Sequence, residues 1–316
     1  MPDSGSSIFT NTDGYQSNLQ DIFDLLVLRP REFHARLTWA DLPNLQLLRA
    51  RETAERVAYM KLPDDRVFVT FPTRPDSALI YGRITLRFGN IMFHSLAEKR
   101  HQRTLGVCEW ASIAVLPETL LTLGRTLADV DLLAPSTGES LRPCKKEHRR
   151  LLRLHAQVGD LAERNLERLT NREVVRGLEQ ELMGALIACL AERNVPTKRS
   201  TVPPKSSNLS MLESLIAFPP HKLLRSREIA DHLSMSEATL KSRCLLELGM
   251  GPGRYQRLRR LKLIRTELLR NRTVQRRDID ATMLRYGFAD LHRFVTEYWQ
   301  YFGEMPPIPS FDPNKK

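Results

Sequence analysis

The stretch that decides the fold runs from residue 234 to 306: SMSEATLKSRCLLELGMGPGRYQRLRRLKLIRTELLRNRTVQRRDIDATMLRYGFADLHRFVTEYWQYFGEMP. Just before it, Ser226-Arg227-Glu228-Ile229-Ala230-Asp231-His232-Leu233 has the pattern of a short helix. Ser226 is its expected cap, with Glu228 in the first turn, where the helix dipole favours a carboxylate. Ser234-Met235 forms a turn, and Ser236 caps a second helix in which Leu240 and Cys244 point inward. Two short helices joined by a tight turn, the second capped and polar outside, describe a helix-turn-helix.

The same order then recurs. Asp278–Tyr286 predicts a short helix, Gly287-Phe288 a turn, and Asp290 the cap of another helix. Phe294, Tyr298 and Phe302, four residues apart, form one buried stripe rather than a stacking platform for bases. His292, Val295 and Thr296 fall on the outer face, as Ala238, Lys241 and Ser242 do on the first reader. Between the two units lies a basic helix, Tyr255–Arg270. From Arg254 to Arg277 ten Lys/Arg are opposed only by Glu267. A one-signed run between two such motifs is expected to hold phosphates.

Charge and cysteine content agree with this reading. The 316 residues carry a net charge of +11, and residues 206–316 hold 19 Lys/Arg against 12 Asp/Glu. Such a balance favours a polyanion, nucleic acid before an anionic membrane surface. Cys108, Cys144, Cys189 and Cys244 form no CxxC and no His/Cys cluster, so no zinc site or disulfide framework is expected. The first residues lack a signal-peptide pattern, and no apolar run approaches the length of a membrane span, so a cytoplasmic protein is expected.

Working outward, residues 1–20 look disordered and 195–208, with Pro203-Pro204, read as a linker. Residues 21–133 are mostly strand signals, notably Val67–Phe71, Leu79–Phe88, Asn90–Leu96 and Trp110–Leu116. Pro117 opens a short helix, and 145–194 repeats apolar residues at helical steps. Those helices either pack on their own domain or pair with a second subunit. The expected class is α+β, a β-rich domain at 21–194 with helices at its C-terminal end, then an all-α domain at 209–312 with two helix-turn-helix units.

The string Ser236, Leu240, Leu248-Gly249, Pro252, Tyr255, Arg260-Leu261, Leu268-Leu269, Tyr286-Gly287-Phe288, Phe294, Tyr298, Phe302-Gly303, Pro306 resembles the AraC/XylS C-terminal domain in order and spacing. The resemblance covers about a third of the chain. It implies that two recognition helices, joined by one long helix, read successive major grooves roughly 34 Å apart. Candidate DNA contacts are then Ala238, Lys241, Ser242 and Arg243 on the first reader and Arg254, Arg257 and Arg260 on the joining helix. On the second they are Leu291, His292, Arg293, Val295 and Thr296. The second reader has few polar groups, which suits thymine methyls and phosphates better than base hydrogen bonds. The sequence departs from the family at Cys244, where Phe is usual, at Ser234, where Gly is common, at Thr282-Met283, at Arg265 and at Trp299.

The N-terminal half is similar to the cupin-like sensor domains of such regulators, through Gly89, His101-Gln102-Arg103-Thr104, Gly106 and Trp110. The family context implies double-stranded DNA and RNA polymerase as partners, activation of transcription, and a small-molecule effector or a homodimer contact. His94, Glu98 and His101 suggest a metal, yet their spacing does not match the cupin metal box, so neither metal nor cofactor is expected. Competing readings are a regulator without ligand sensing and an enzyme, such as an alkyl-transfer repair protein, fused to a DNA-binding domain. The latter needs an activated cysteine, which four isolated ones do not supply.

Overall fold

The computed structural model describes residues 4–19, 22–192, 209–217, 222–270 and 276–306. The chain divides into two compact units, Met1–Leu25 with Phe33–Pro204, and Leu26–Glu32 with Lys205–Lys316. The expected linker, 195–208, lies outside the described residues.

The N-terminal unit is built on two antiparallel sheets. One has the order β1 (Ser4–Phe9), β3 (Ala35–Asp41), β4 (Leu45–Glu52), β11 (Cys108–Val115), β6 (Val67–Pro72), β9 (Ile91–Phe93), β12 (Glu139–Leu141). The other runs β2 (Phe23–Val27), β5 (Arg56–Lys61), β10 (Lys99–Thr104), β7 (Ala78–Tyr81), β8 (Ile84–Arg87). Strand side chains alternate between faces, and the central strands of the larger sheet bury both. Val67, Val69 and Phe71 of β6, with Ala111, Ile113 and Val115 of β11, join one apolar core. The same core takes Leu151, Leu154 and Val158 from α3 (Lys145–Arg164) and Leu182, Leu186 and Leu190 from α4 (Arg172–Ala191). The alternate set, Phe68, Thr70, Ser112 and Ala114, turns the other way and lines a cavity that Met60 of β5 also lines. Burial on both faces explains the unbroken run Val67–Phe71, which alternation alone would not produce.

One expectation is corrected in this unit and two open readings are made specific. Residues 4–17 are ordered: Ser4–Phe9 pairs along β3, and α1 (Thr12–Ser17) buries Tyr15, whose hydroxyl donates to Glu52 at 2.7 Å. A Ser/Gly-rich edge strand bonds through its backbone and carries little apolar signal. Leu79–Phe88 is two strands, because Gly82 at φ +60° turns the chain between β7 and β8. The apolar stripes of α3 and α4 are buried on their own sheet, so own-domain packing accounts for them. As expected, α2 (Pro117–Ala128) begins with Pro in its first turn.

The C-terminal unit contributes six helices among the described residues: α5 (Leu209–Ala217), α6 (Ser226–His232), α7 (Glu237–Leu248), α8 (Pro252–Arg270), α9 (Arg276–Arg285) and α10 (Leu291–Phe302). Ser226 is the first residue of α6 rather than its cap. Arg225 precedes the helix, and its N–H donates to the Glu228 carboxylate at 2.7 Å. No helix among the described residues is long and apolar enough to cross a membrane.

A buried histidine makes the N-terminal unit sensitive to acid. His155 on α3 is 1 % exposed, donates to the Leu48 carbonyl at 3.4 Å and meets the Phe71 ring edge-on. Burial, with help from Arg49, pulls its pKa from 6.5 to about 4. The unfolded chain therefore takes up this proton first, and stability is lost as pH falls from 6.5 towards 4. At about 1.4 kcal/mol per unit the full loss is about 3 kcal/mol. Chemical denaturation across this range should show a flatter pH dependence in His155→Leu than in the wild type. An unchanged slope would remove His155 as the cause.

Candidate functional site

Both helix-turn-helix turns close in the same way. In the first, Ser234 sits at φ +52°, its N–H donating to Asp231 and that of Met235 to Ala230 at 3.0 Å. In the second, Gly287 sits at φ +81°, its N–H donating to Leu284 and that of Phe288 to Met283 at 2.9 Å. A residue in the left-handed region followed by a six-residue closure is the Schellman stop of a helix. Ser234 therefore occupies the conformation in which Gly is common, as its departure from the family pattern suggested. Gly287 also needs to lack a side chain. A Cβ there would lie 2.6 Å from the Leu223 backbone nitrogen.

The reader helices start on their expected caps. Ser236 Oγ accepts from the Thr239 N–H at 3.1 Å, and Asp290 Oδ1 accepts from the Arg293 N–H at 3.0 Å. On α7, Leu240, Cys244 and Leu248 are buried, while Ala238, Lys241 and Ser242 are exposed and Arg243 is half-buried. On α10, Phe294, Tyr298 and Phe302 stack in sequence, with centroid distances of 5.7 and 4.6 Å. His292 and Thr296 are exposed, and the Thr296 hydroxyl donates to the His292 carbonyl. Val295 is a correction: at 6 % exposure it belongs to the core with Ile279, Met283 and Phe288. Leu291 is half-buried against the same core. The stripe is wider than a spacing of four implies, because a core-facing helix buries i+3 positions as well.

The basic run is the larger correction. Its cations in α8 mostly face inward and are engaged by other segments of this unit. Arg260 is fully buried, and its Nη1 donates to the Lys222 carbonyl at 2.9 Å and the Tyr286 carbonyl at 3.1 Å. Burial lowers its pKa to about 10. Arg259 Nη2 donates to Glu213 of α5 at 3.0 Å, beside the Tyr255 hydroxyl, which donates to the same carboxylate. Arg257 grips Glu297 of α10 through two nitrogens, Nη2 at 2.6 Å, and its guanidinium lies over the Phe288 ring. Arg293 reaches the same Glu297 at 3.0 Å. Arg265 donates to Glu304 and lies over the Phe302 ring. Arg254 and Arg270 are the exposed cations of α8, and Arg272 lies outside the described residues. The carboxylates that bind these arginines, Glu213 and Glu297, were not singled out from sequence. Glu297, four residues after Arg293, was the readable signal.

In the N-terminal unit, His94 and Glu98 are bonded to each other, Nδ1 to Oε2 at 2.8 Å, and His101 packs against Tyr59 with ring centroids 5.0 Å apart. Among the described residues no group of three metal-ligating side chains gathers. Burial pushes the Cys108, Cys189 and Cys244 thiols up to about 12, away from the thiolate a nucleophile requires. The cavity between the sheets, about 150 Å³, was missed from sequence. Its signal was a hydroxyl residue among apolar neighbours in each of two strands, Thr70 in β6 and Ser112 in β11, which are cross-strand partners.

Residues 229–307 match a family model described as "Helix-turn-helix domain". Among solved structures the chain is similar to the AraC-like transcriptional activator CuxR, at 14% identity, covering 83% of this chain and 94% of that one, with a TM-score of 0.44. It is also similar to ToxT from Vibrio cholerae O395, at 12% identity, 83% and 95% coverage and a TM-score of 0.33. A structure titled as unsaturated fatty acid bound wild-type ToxT from Vibrio cholerae strain SCE256 matches at 10% identity, 84% and 94% coverage and a TM-score of 0.32. No curated protein matches the chain.

Lys241 and Arg260 should separate binding from support. Arg260→Ala strands two carbonyls and opens a cavity, and is expected to destabilise the C-terminal unit by about 2–4 kcal/mol. Lys241→Ala removes an exposed side chain and should leave the melting temperature within a degree or so while weakening DNA binding. Thermal melts paired with fluorescence-anisotropy titrations check both. Equal melts for Arg260→Ala and wild type would contradict its supporting role.

Proposed function

We propose that this chain, whose residues 229–307 form an AraC-type helix-turn-helix domain, is a transcription regulator that reads two successive major grooves with α7 and α10. The observation that carries the reading is a pair of N-capped helices, each ending an identical turn and each seated on α8 with a polar strip outward. On α7 the proposed contacts are Ala238, Lys241, Ser242 and Arg243, a set able to donate to guanine or to touch a thymine methyl. On α10 they are His292, Arg293 and Thr296, with Leu291 at the edge. Arg254 at the start of α8 holds phosphate. Arg257, Arg260 and Val295 keep the readers in place instead of touching DNA.

Activation through contact with RNA polymerase is the proposed sign of regulation, following the AraC/XylS resemblance. The N-terminal unit responds to a small-molecule effector held in the cavity between its sheets. An enzymatic role for its cysteines is disfavoured by the raised thiol pKa values of the three buried ones.

Selection of bound fragments from a random DNA pool at two salt concentrations tests the double reader. One motif with two blocks about a helical turn apart, surviving the higher salt, is the expected result. Uniform binding that vanishes with salt would contradict recognition by α7 and α10.

A further inference from the structure

The cavity between the two sheets has a wall whose chemistry names its occupant. Its apolar side includes Leu48, Met60 and Phe68. Its polar side includes Asn18, Asp41, Gln46 and the bonded set His94, Thr70 and Ser112, which Glu98 continues outside the lining. Glu98 accepts from Arg100 at 3.2 Å, from the Ser95 N–H at 3.2 Å and from His94 Nδ1 at 2.8 Å. His94, fully buried, places Nε2 3.2 Å from Thr70 Oγ1, and Thr70 lies 3.4 Å from Ser112 Oγ.

The bonded set is anchored at its carboxylate end. A carboxylate only accepts, so His94 donates through Nδ1 to Glu98, and its Nε2 meets the Thr70 hydroxyl. Whichever hydroxyl of the Thr70–Ser112 pair donates, Ser112 Oγ keeps at least one lone pair at the cavity wall. An occupant is therefore asked to donate a hydrogen bond.

Charge narrows the class further. No Lys or Arg lines the cavity, and Asp41 and His94 are its titratable lining residues. Arg56, a buried guanidinium elsewhere in this unit, donates through Nε to Glu52 at 2.8 Å, has no partner at its Nη atoms among the described residues and is not among the lining residues. An anionic ligand would lose its hydration with no cation to meet it. A volume near 150 Å³ is the size of an engineered apolar cavity that takes up benzene.

We propose that this cavity binds a small uncharged molecule, with an apolar body about the size of one benzene ring and a hydroxyl that donates to Ser112. The inference rests on the reading of the N-terminal unit as the effector-binding part of a regulator.

The test is calorimetric titration of the full chain with phenol, toluene and benzoate, followed by operator binding with and without phenol. Phenol should bind about tenfold more tightly than toluene, a margin one hydrogen bond supplies, and benzoate weakest. Ser112→Ala should erase the margin of phenol over toluene and leave toluene binding unchanged. Ala114→Phe should fill the space and abolish all three, and retained phenol binding in that variant would place the site elsewhere. Benzoate binding as tightly as phenol, or no binding of phenol at millimolar concentration, would overturn the proposal. Phenol binding as described with no change in operator affinity would leave the ligand class standing and overturn the effector reading.

Discussion

A single buried guanidinium holds the DNA-binding unit together. Arg260 projects from the middle of α8 and donates to one carbonyl ahead of α6 and another at the turn before α10. A cation removed from water needs hydrogen-bond partners. Nη1 finds two in the Lys222 and Tyr286 carbonyls, while Nε and Nη2 are buried without one among the described residues, so the chain at Lys222 and Tyr286 must come to it. Gly287 allows that approach, because any Cβ there would collide with the backbone of Lys222 and Leu223. The two readers are thus referred to one point on one helix.

The same helix extends the arrangement in both directions. Towards α5 it offers Arg259 and Tyr255 to Glu213. Towards α10 it offers Arg257 to Glu297 and Arg265 to Glu304. The pairs to Glu213 and Glu297 each span two helices, and the helices must keep a set spacing if α7 and α10 are to enter grooves one turn apart. Fixing that spacing before DNA arrives lowers the ordering cost of binding. The apolar stripe Phe294, Tyr298, Phe302 finishes the job on α10, and Val295 widens it.

Most of this was legible in the residues. The caps Ser236 and Asp290, the αL turns at Ser234 and Gly287 and the buried aromatic stripe all follow from local rules, and local rules act over a few residues. The run of arginines was misleading because sequence shows charge and not its partner. Arg260 and Lys241 look alike until the fold supplies two carbonyls to one and water to the other. The strand at Ser4–Phe9 was hidden for a related reason, since its stability comes from backbone bonds to β3 and not from its own side chains. The cavity was hidden because Thr70 and Ser112 meet only through strand register.

Helix α8 acts as a support and not as a phosphate clamp, and the salt dependence of operator binding tests that directly. Removing one phosphate-binding charge should flatten the slope of log K against log salt by about 0.9. Of Arg254→Gln and Arg257→Gln, the exposed Arg254 variant should show the flatter slope. Arg257→Gln should show an unchanged slope with a lowered melting temperature. A flattened slope and an unchanged melt for Arg257→Gln would contradict the supporting role of α8.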